Sequence, residues 1–143
     1  MSEQENLKTV EAIFTSLNAH ELHSNDDSYA KGYQYSAPGA PGSMNLDQSI
    51  DYIGGFITAF PDLHFELKDR IAQGDLVAVS WMGTGTHKGS LRTPTGNSLP
   101  ATNKKAQVPG TSIYHFKDGK ITSSQVYWDM VSLLSQIGMM PGM

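Results

Sequence analysis

From Leu7 the apolar positions Val10, Ile13, Phe14 and Leu17 recur at spacings of three and four, which predicts an amphipathic helix over about residues 4–19. A polar and then aromatic stretch follows, with Tyr29, Tyr33 and Tyr35, and it ends in the breakers Pro38-Gly39-Ala40-Pro41-Gly42. A short helix or turn, a brief extended segment at Tyr33–Ser36 and a loop are expected there. Asn45 is a natural N-cap for a second helix reaching Ala59, with Leu46, Ile50, Ile53, Phe56 and Ile57 on its buried face and Pro61 beyond its end. Gly54-Gly55 lowers the propensity of that helix, and close packing against a sheet is the expected reason for the pair.

After Asp62 the period changes from helical to alternating. Leu63, Phe65 and Leu67 open a strand, Gly74-Asp75 is a turn, and Leu76–Gly85 reads as a long strand with Val77, Val79 and Trp81 on one face. Continuing the alternation puts His87 on the Trp81 face. Residues 88–109 carry turn signals at Pro94-Thr95-Gly96-Asn97, Pro100 and Val108-Pro109-Gly110, so a long surface loop is expected. Thr111–Phe116 and Ile121–Tyr127 form a hairpin around Lys117-Asp118-Gly119-Lys120, and Met130–Ile137 a last short helix with Gly138 as its C-cap.

Helices followed by a meander of long strands is an α+β order. The expected architecture is a curved antiparallel sheet wrapping N-terminal helices into a cone, in a single domain over residues 1–143. Composition narrows the chemistry. There is no cysteine, which removes disulfides, thiolate metal sites and a Cys nucleophile and fits a reducing, cytoplasmic setting. Ten basic and 14 acidic side chains give a net charge of −4, with Lys104-Lys105 the only adjacent basic pair, so nucleic acid is not an expected partner. No window approaches the roughly 20 apolar residues of a membrane span, so no membrane association is expected.

Asp129 is the sharpest chemical candidate. A carboxylate at a strand end beside Trp128 suits a general base in an apolar mouth, and the same residue is a preferred N-cap for the helix that follows. His87 is the second, as acid, oxyanion donor or orienting partner of Asp129, against an ordinary structural role. His20, His23, His64 and His115 have no metal-ligand spacing, so no metal site is expected. Tyr33, Tyr35, Trp81, Tyr114, Tyr127 and Trp128 offer a pocket lining for a flat or apolar ligand, and are equally the material of a plain core. Gly83-Thr84-Gly85-Thr86 is followed by no helix and is not a phosphate loop. Ser112 and His115, three apart on a strand, face opposite ways and make no nucleophile pair.

The element order, together with Gly85-Thr86-His87-Lys88-Gly89, Leu99-Pro100-Ala101-Thr102-Asn103-Lys104-Lys105, Val108-Pro109-Gly110-Thr111-Ser112-Ile113, Asp118-Gly119-Lys120-Ile121 and Trp128-Asp129 with Leu133-Leu134-Ser135-Gln136-Ile137-Gly138, resembles the SnoaL-like polyketide cyclases. These are also called ester cyclase-like proteins and belong to the nuclear transport factor two-like superfamily. The resemblance implies a cone-shaped α+β barrel with a deep apolar pocket for a small hydrophobic, polyketide- or steroid-like molecule. It also implies no cofactor, and a homodimer or higher homo-oligomer. In the characterised cyclases an aspartate on the last strand takes a proton next to a carbonyl. Alignment on the Asp-Gly-Lys-Ile hairpin puts that aspartate at Val126 and its partner histidine at Ser112. Asp129 and His87 match the broader membership instead. The implied function is cofactor-independent acid/base catalysis of the cyclase or isomerase type, with a non-catalytic hydrophobic ligand-binding protein as the alternative. A three-residue hairpin loop sets Ser112 opposite Val126, with Tyr114, Ser124 and Trp128 on their face; a two-residue loop shifts that register by one.

Overall fold

The computed structural model describes residues 2–40, 42–92 and 97–139. The expected turn at Pro94-Thr95-Gly96 and the breaker Pro41 lie outside them. Helix α1 (Glu3–Asn18) starts at a capping box in which Ser2 and Glu5 exchange hydrogen bonds, and buries Val10, Ile13 and Phe14. A short 3₁₀ turn (Asp26–Ser28) leads into strand β1 (Tyr29–Ser36), longer than the pattern suggested. Helix α2 (Leu46–Ala59) begins at the Asn45 cap, as its sequence requires. Then come β2 (His64–Gln73), β3 (Leu76–Thr86), the two-residue strands β4 (Leu91–Arg92) and β5 (Ser98–Leu99), β6 (Lys105–Lys117), β7 (Lys120–Trp128) and α3 (Met130–Gln136). Among the described residues no helix is long and apolar enough to cross a membrane.

The main sheet runs β1-β7-β6-β3-β2. It is mixed rather than purely antiparallel, because β1 lies parallel to β7, pairing Tyr35 with Ser124. The helices pack on one face of it, giving the α+β cone.

Three sequence expectations change here. The segment 88–109 is not all loop: β4 and β5 pair within it, and β6 begins at Lys105. Pro109 sits inside β6 opposite Met82, where β7 has already ended at Trp128, so its missing N–H faces no partner strand. Gln107 on the same free edge has its N–H and C=O satisfied by the side-chain amide of Gln136, at 2.7 and 3.0 Å. Secondly, the 117–120 hairpin is a two-residue turn, with φ of 51° at Asp118 and 79° at Gly119. A bulge then restores the longer-loop register: Thr122 of β7 is the extra residue, lying between the pairs His115–Ser123 and Phe116–Ile121, and Ser112 still faces Val126. Thirdly, a Cβ on Gly54 would stand at an ordinary 3.7 Å from Leu22 of the α1–β1 connection, and one on Gly55 would touch nothing; neither would meet the sheet.

Asn18 clamps the C-terminal end of α1 to the outer edge of β2, its amide exchanging hydrogen bonds with the N–H and C=O of Phe65 at 2.8 and 2.9 Å. Glu11 pairs with Arg70 on the same strand at 3.0 Å. These contacts hold α1 across the sheet and leave the space above Trp81 open.

Candidate functional site: two chambers under the sheet

Two cavities lie between the helices and the sheet. The first, about 90 Å³, is bounded by α1, the turn after it, the first half of α2 and the sheet residues Tyr33, Ser112 and Tyr114. The second, about 110 Å³, lies under the far half of α2 and is closed by Phe60, Leu63, Val108, Trp128 and Leu133. Tyr35, Ile53, Phe65, Trp81 and Val126 line both. The apolar face of α2 is accordingly half-buried: it roofs a void rather than filling a core, and only Ser49 and Ala59 of that helix are fully buried.

Strand geometry supplies this lining. Alternation on β3 points Val77, Val79 and Trp81 inward. The Trp81 indole lies over Gly110, its cross-strand partner, where a Cβ would stand 2.2 Å from the ring. Glycine at 110 is therefore what lets the indole lie across the sheet and wall both chambers. Phe65 packs edge-on against it, with ring centres 5.1 Å apart. The indole N–H donates to the Ser112 hydroxyl at 3.0 Å, and the Tyr33 hydroxyl donates to Ser124 at 2.8 Å. Burial pushes the hydroxyls of Tyr35 and Tyr114 well above the usual phenol range and raises that of Tyr33 as well. It lifts Tyr29 and Tyr52 to about 12. These phenols stay protonated near neutrality and act as hydrogen-bond donors.

The residues expected on the lining are found there with one exception: Tyr127 is exposed and borders a groove outside both chambers. Tyr33, Tyr35, Trp81, Ser112, Tyr114 and Val126 face the first chamber, and Trp128 the second. Val126 and Ser112, where the sequence resemblance leads one to expect the cyclase aspartate and histidine, stand directly opposite each other on β7 and β6. The Trp81 N–H occupies Ser112, and no carboxylate or imidazole is at either place.

Asp129 and His87 line neither chamber. Asp129 is exposed, caps α3 by accepting the Ser132 N–H at 3.0 Å, and borders a shallow groove on the other side of the sheet beside Lys68, Asp69 and Tyr127. His87 is fully buried at the end of β3. Its Nδ1 accepts the Thr102 N–H at 3.3 Å, its backbone N–H donates to the Lys104 carbonyl, and its backbone carbonyl accepts from the Asn103 N–H. The His87 ring lies 5.3 Å from that of Phe60, and the same phenyl group fills the space under Gly85. His87 thus pins the 102–104 segment, Thr102 through its ring and Asn103 and Lys104 through its backbone, with a wall residue of the second chamber against the ring face. Burial holds its pKa below the ordinary 6.5, partly offset by a backbone hydrogen bond at Gly89.

The sequence reading passed over Glu21, which lines the mouth of the first chamber. It sits in a polar stretch with nothing to distinguish it from a solvated carboxylate. Only the closure of the turn onto α2 places it there. Among the described residues no group of three or more His, Asp and Glu side chains is arranged to hold a metal ion.

Known structures share this architecture. AclR, a candidate hydroxylase from Streptomyces galilaeus, superposes with a TM-score of 0.83 at 22% identity, over 98% of this chain and 100% of its own. A candidate SnoaL-like polyketide cyclase from Jannaschia sp. CCS1 gives 0.83 at 19% identity, over 97% and 94%. IdmH, a candidate polyketide cyclase from Streptomyces antibioticus, gives 0.79 at 21%, over 93% and 98%. At these identities the likeness is one of fold. No curated protein sequence matches the chain. The sequence profile of the SnoaL-like polyketide cyclases matches residues 7–137, nearly the whole cone with both chambers, and the chain belongs to that family.

Proposed function

We propose that this protein binds a small, largely flat hydrophobic molecule across the two chambers, with the buried phenols of the first donating hydrogen bonds to a carbonyl or hydroxyl oxygen. The observation that carries the reading is the shared wall of Tyr35, Ile53, Phe65, Trp81 and Val126, which joins one almost wholly apolar space to one edged with hydroxyl groups. Binding needs no general base in that wall, which agrees with valine and serine at the two cyclase positions. Calorimetric titration with acetophenone, a small flat ketone, tests it. Saturable one-to-one binding that disappears in a folded Val126→Phe variant is expected, and binding indifferent to that substitution rejects the reading.

Family membership favours a second reading, proton abstraction next to a carbonyl on a polyketide- or steroid-like compound, with Asp129 as base and His87 as donor. It requires both side chains to reach a substrate from outside the chambers. Exchange of the acetophenone methyl protons with deuterium, accelerated by the protein and lost in Asp129→Asn, would support it over binding alone. Assembly as a homodimer or higher oligomer and a cytoplasmic location belong to the same proposal, the first being read by sedimentation.

A further inference from the structure

We infer that the ligand, besides the oxygen that accepts from the phenols, carries a positive charge at its end toward the mouth of the first chamber, and that Glu21 there recognises that charge. This rests on the reading that the chambers bind a small hydrophobic molecule, and it names the class.

Charge in the walls is one-sided. Among the described residues lining either chamber Glu21 is the only formally charged side chain; no lysine, arginine or histidine joins it there. An anionic ligand would meet a carboxylate and no counter-charge, and a neutral one would make no use of it. An alkylammonium uses the whole lining. Tyr29, Tyr33, Tyr35, Trp81 and Tyr114 surround the first chamber, and aromatic rings attract cations through their negative faces. The phenols remain protonated, so they supply that attraction and no competing phenolate.

Backbone geometry places Glu21, an exposed residue, beside the first chamber. Helix α1 ends with His20 in the left-handed region at φ 59°, and the Glu21 N–H returns to the Ser16 carbonyl at 2.9 Å. His20 Nε2 is hydrogen-bonded to the Leu63 carbonyl at 3.1 Å, tying the turn to the start of β2. Ser24 donates to Glu21 Oε2 at 3.3 Å. The surroundings add to the field: α1 has no basic residue in its last turn, so its C-terminal partial charge is uncompensated there. Asp26, Asp47 and Asp51 all act on His23 in the same turn to favour its charged form. Glu21, Asp26, Asp47 and Asp51 outnumber the one cation His23 around this turn, and a net negative rim draws cations toward the opening.

The test compares phenyltrimethylammonium with its neutral isostere tert-butylbenzene, by titration at low and high salt. The proteins are the wild type, Glu21→Gln and a folded Val126→Phe. The cation is expected to bind roughly tenfold more tightly than the isostere. Glu21→Gln should erase most of that margin and its salt dependence while leaving tert-butylbenzene unaffected. Equal affinities with a silent Glu21→Gln overturn the inference and leave the binding reading standing. Failure of both probes to bind, or binding untouched by Val126→Phe, overturns the binding reading and the inference with it.

Discussion

The Trp81 indole N–H donates to the Ser112 hydroxyl at 3.0 Å, between residues exposed by only 7% and 2%. This bond crosses β3 to β6 at the floor of the first chamber and fixes the plane of the largest ring in the wall. Ser112→Ala removes the acceptor and leaves a buried N–H, at a cost of about 1–3 kcal/mol. Urea denaturation measures the loss, and a Ser112→Thr variant, which keeps the hydroxyl, should recover part of it.

Asp129 acts on α3. Asp129→Ala should cost about 1 kcal/mol through the lost cap. Because His87 is buried behind Phe60 and Asp129 lines the opposite groove, Asp129→Asn should leave the His87 titration, followed by NMR, where it is. A lowered His87 pKa would instead place the two charges in contact.

The depressed pKa of His87 makes stability depend on pH with a definite sign. Above its ordinary value of 6.5 the imidazole is neutral folded and unfolded, and its stability contribution is whole. As pH falls below that, the unfolded chain takes up the proton first, so stability declines until the folded pKa is passed. His23, raised by its contact with Asp26, works in the opposite sense from an exposed and screened position. Unfolding free energies between about pH 5 and 8 should therefore show a decline in the acid range that is shallower in His87→Gln.

Gly110 is the position where one methyl group matters most for the chambers. In Gly110→Ala the new Cβ would overlap the Trp81 ring, so the indole must swing out of its plane into the cavity. The expected result is a destabilised protein, by about 1–3 kcal/mol, with altered tryptophan fluorescence and weakened acetophenone binding.

Much of this arrangement is legible along the chain because local rules and tertiary structure agree. The Asn45 cap, the alternation of Val77, Val79 and Trp81, and the Asp129 cap each follow from a period or a terminus, and each is found. The chamber lining is legible for the same reason, since alternate positions on paired strands share a face. The start of β6 is not, because Pro109 reads as a breaker until β7 is known to end beside it and Gln136 to satisfy the free edge. The parallel pairing of β1 with β7 has no local signal. Nor has the separation of His87 from Asp129: both stand at strand ends, but Phe60, from a distant part of the chain, decides which space the imidazole faces. Glu21 becomes visible only when the turn after α1 brings it and Leu22 to the chamber that α2 roofs.

The most direct test of ligand binding in the chambers is a ¹H–¹⁵N titration with acetophenone that follows the indole N–H signals of Trp81 and Trp128, the protein's two tryptophans. Both tryptophans line the chambers and also touch the groove on the other side of the sheet, whereas Thr111, Tyr127 and Asp129 border that groove alone, so their backbone amides report on it separately. The account predicts saturable movement of both indole signals, absent in Val126→Phe, with those amides still. Indole signals that stay fixed while the outer amides move would contradict it.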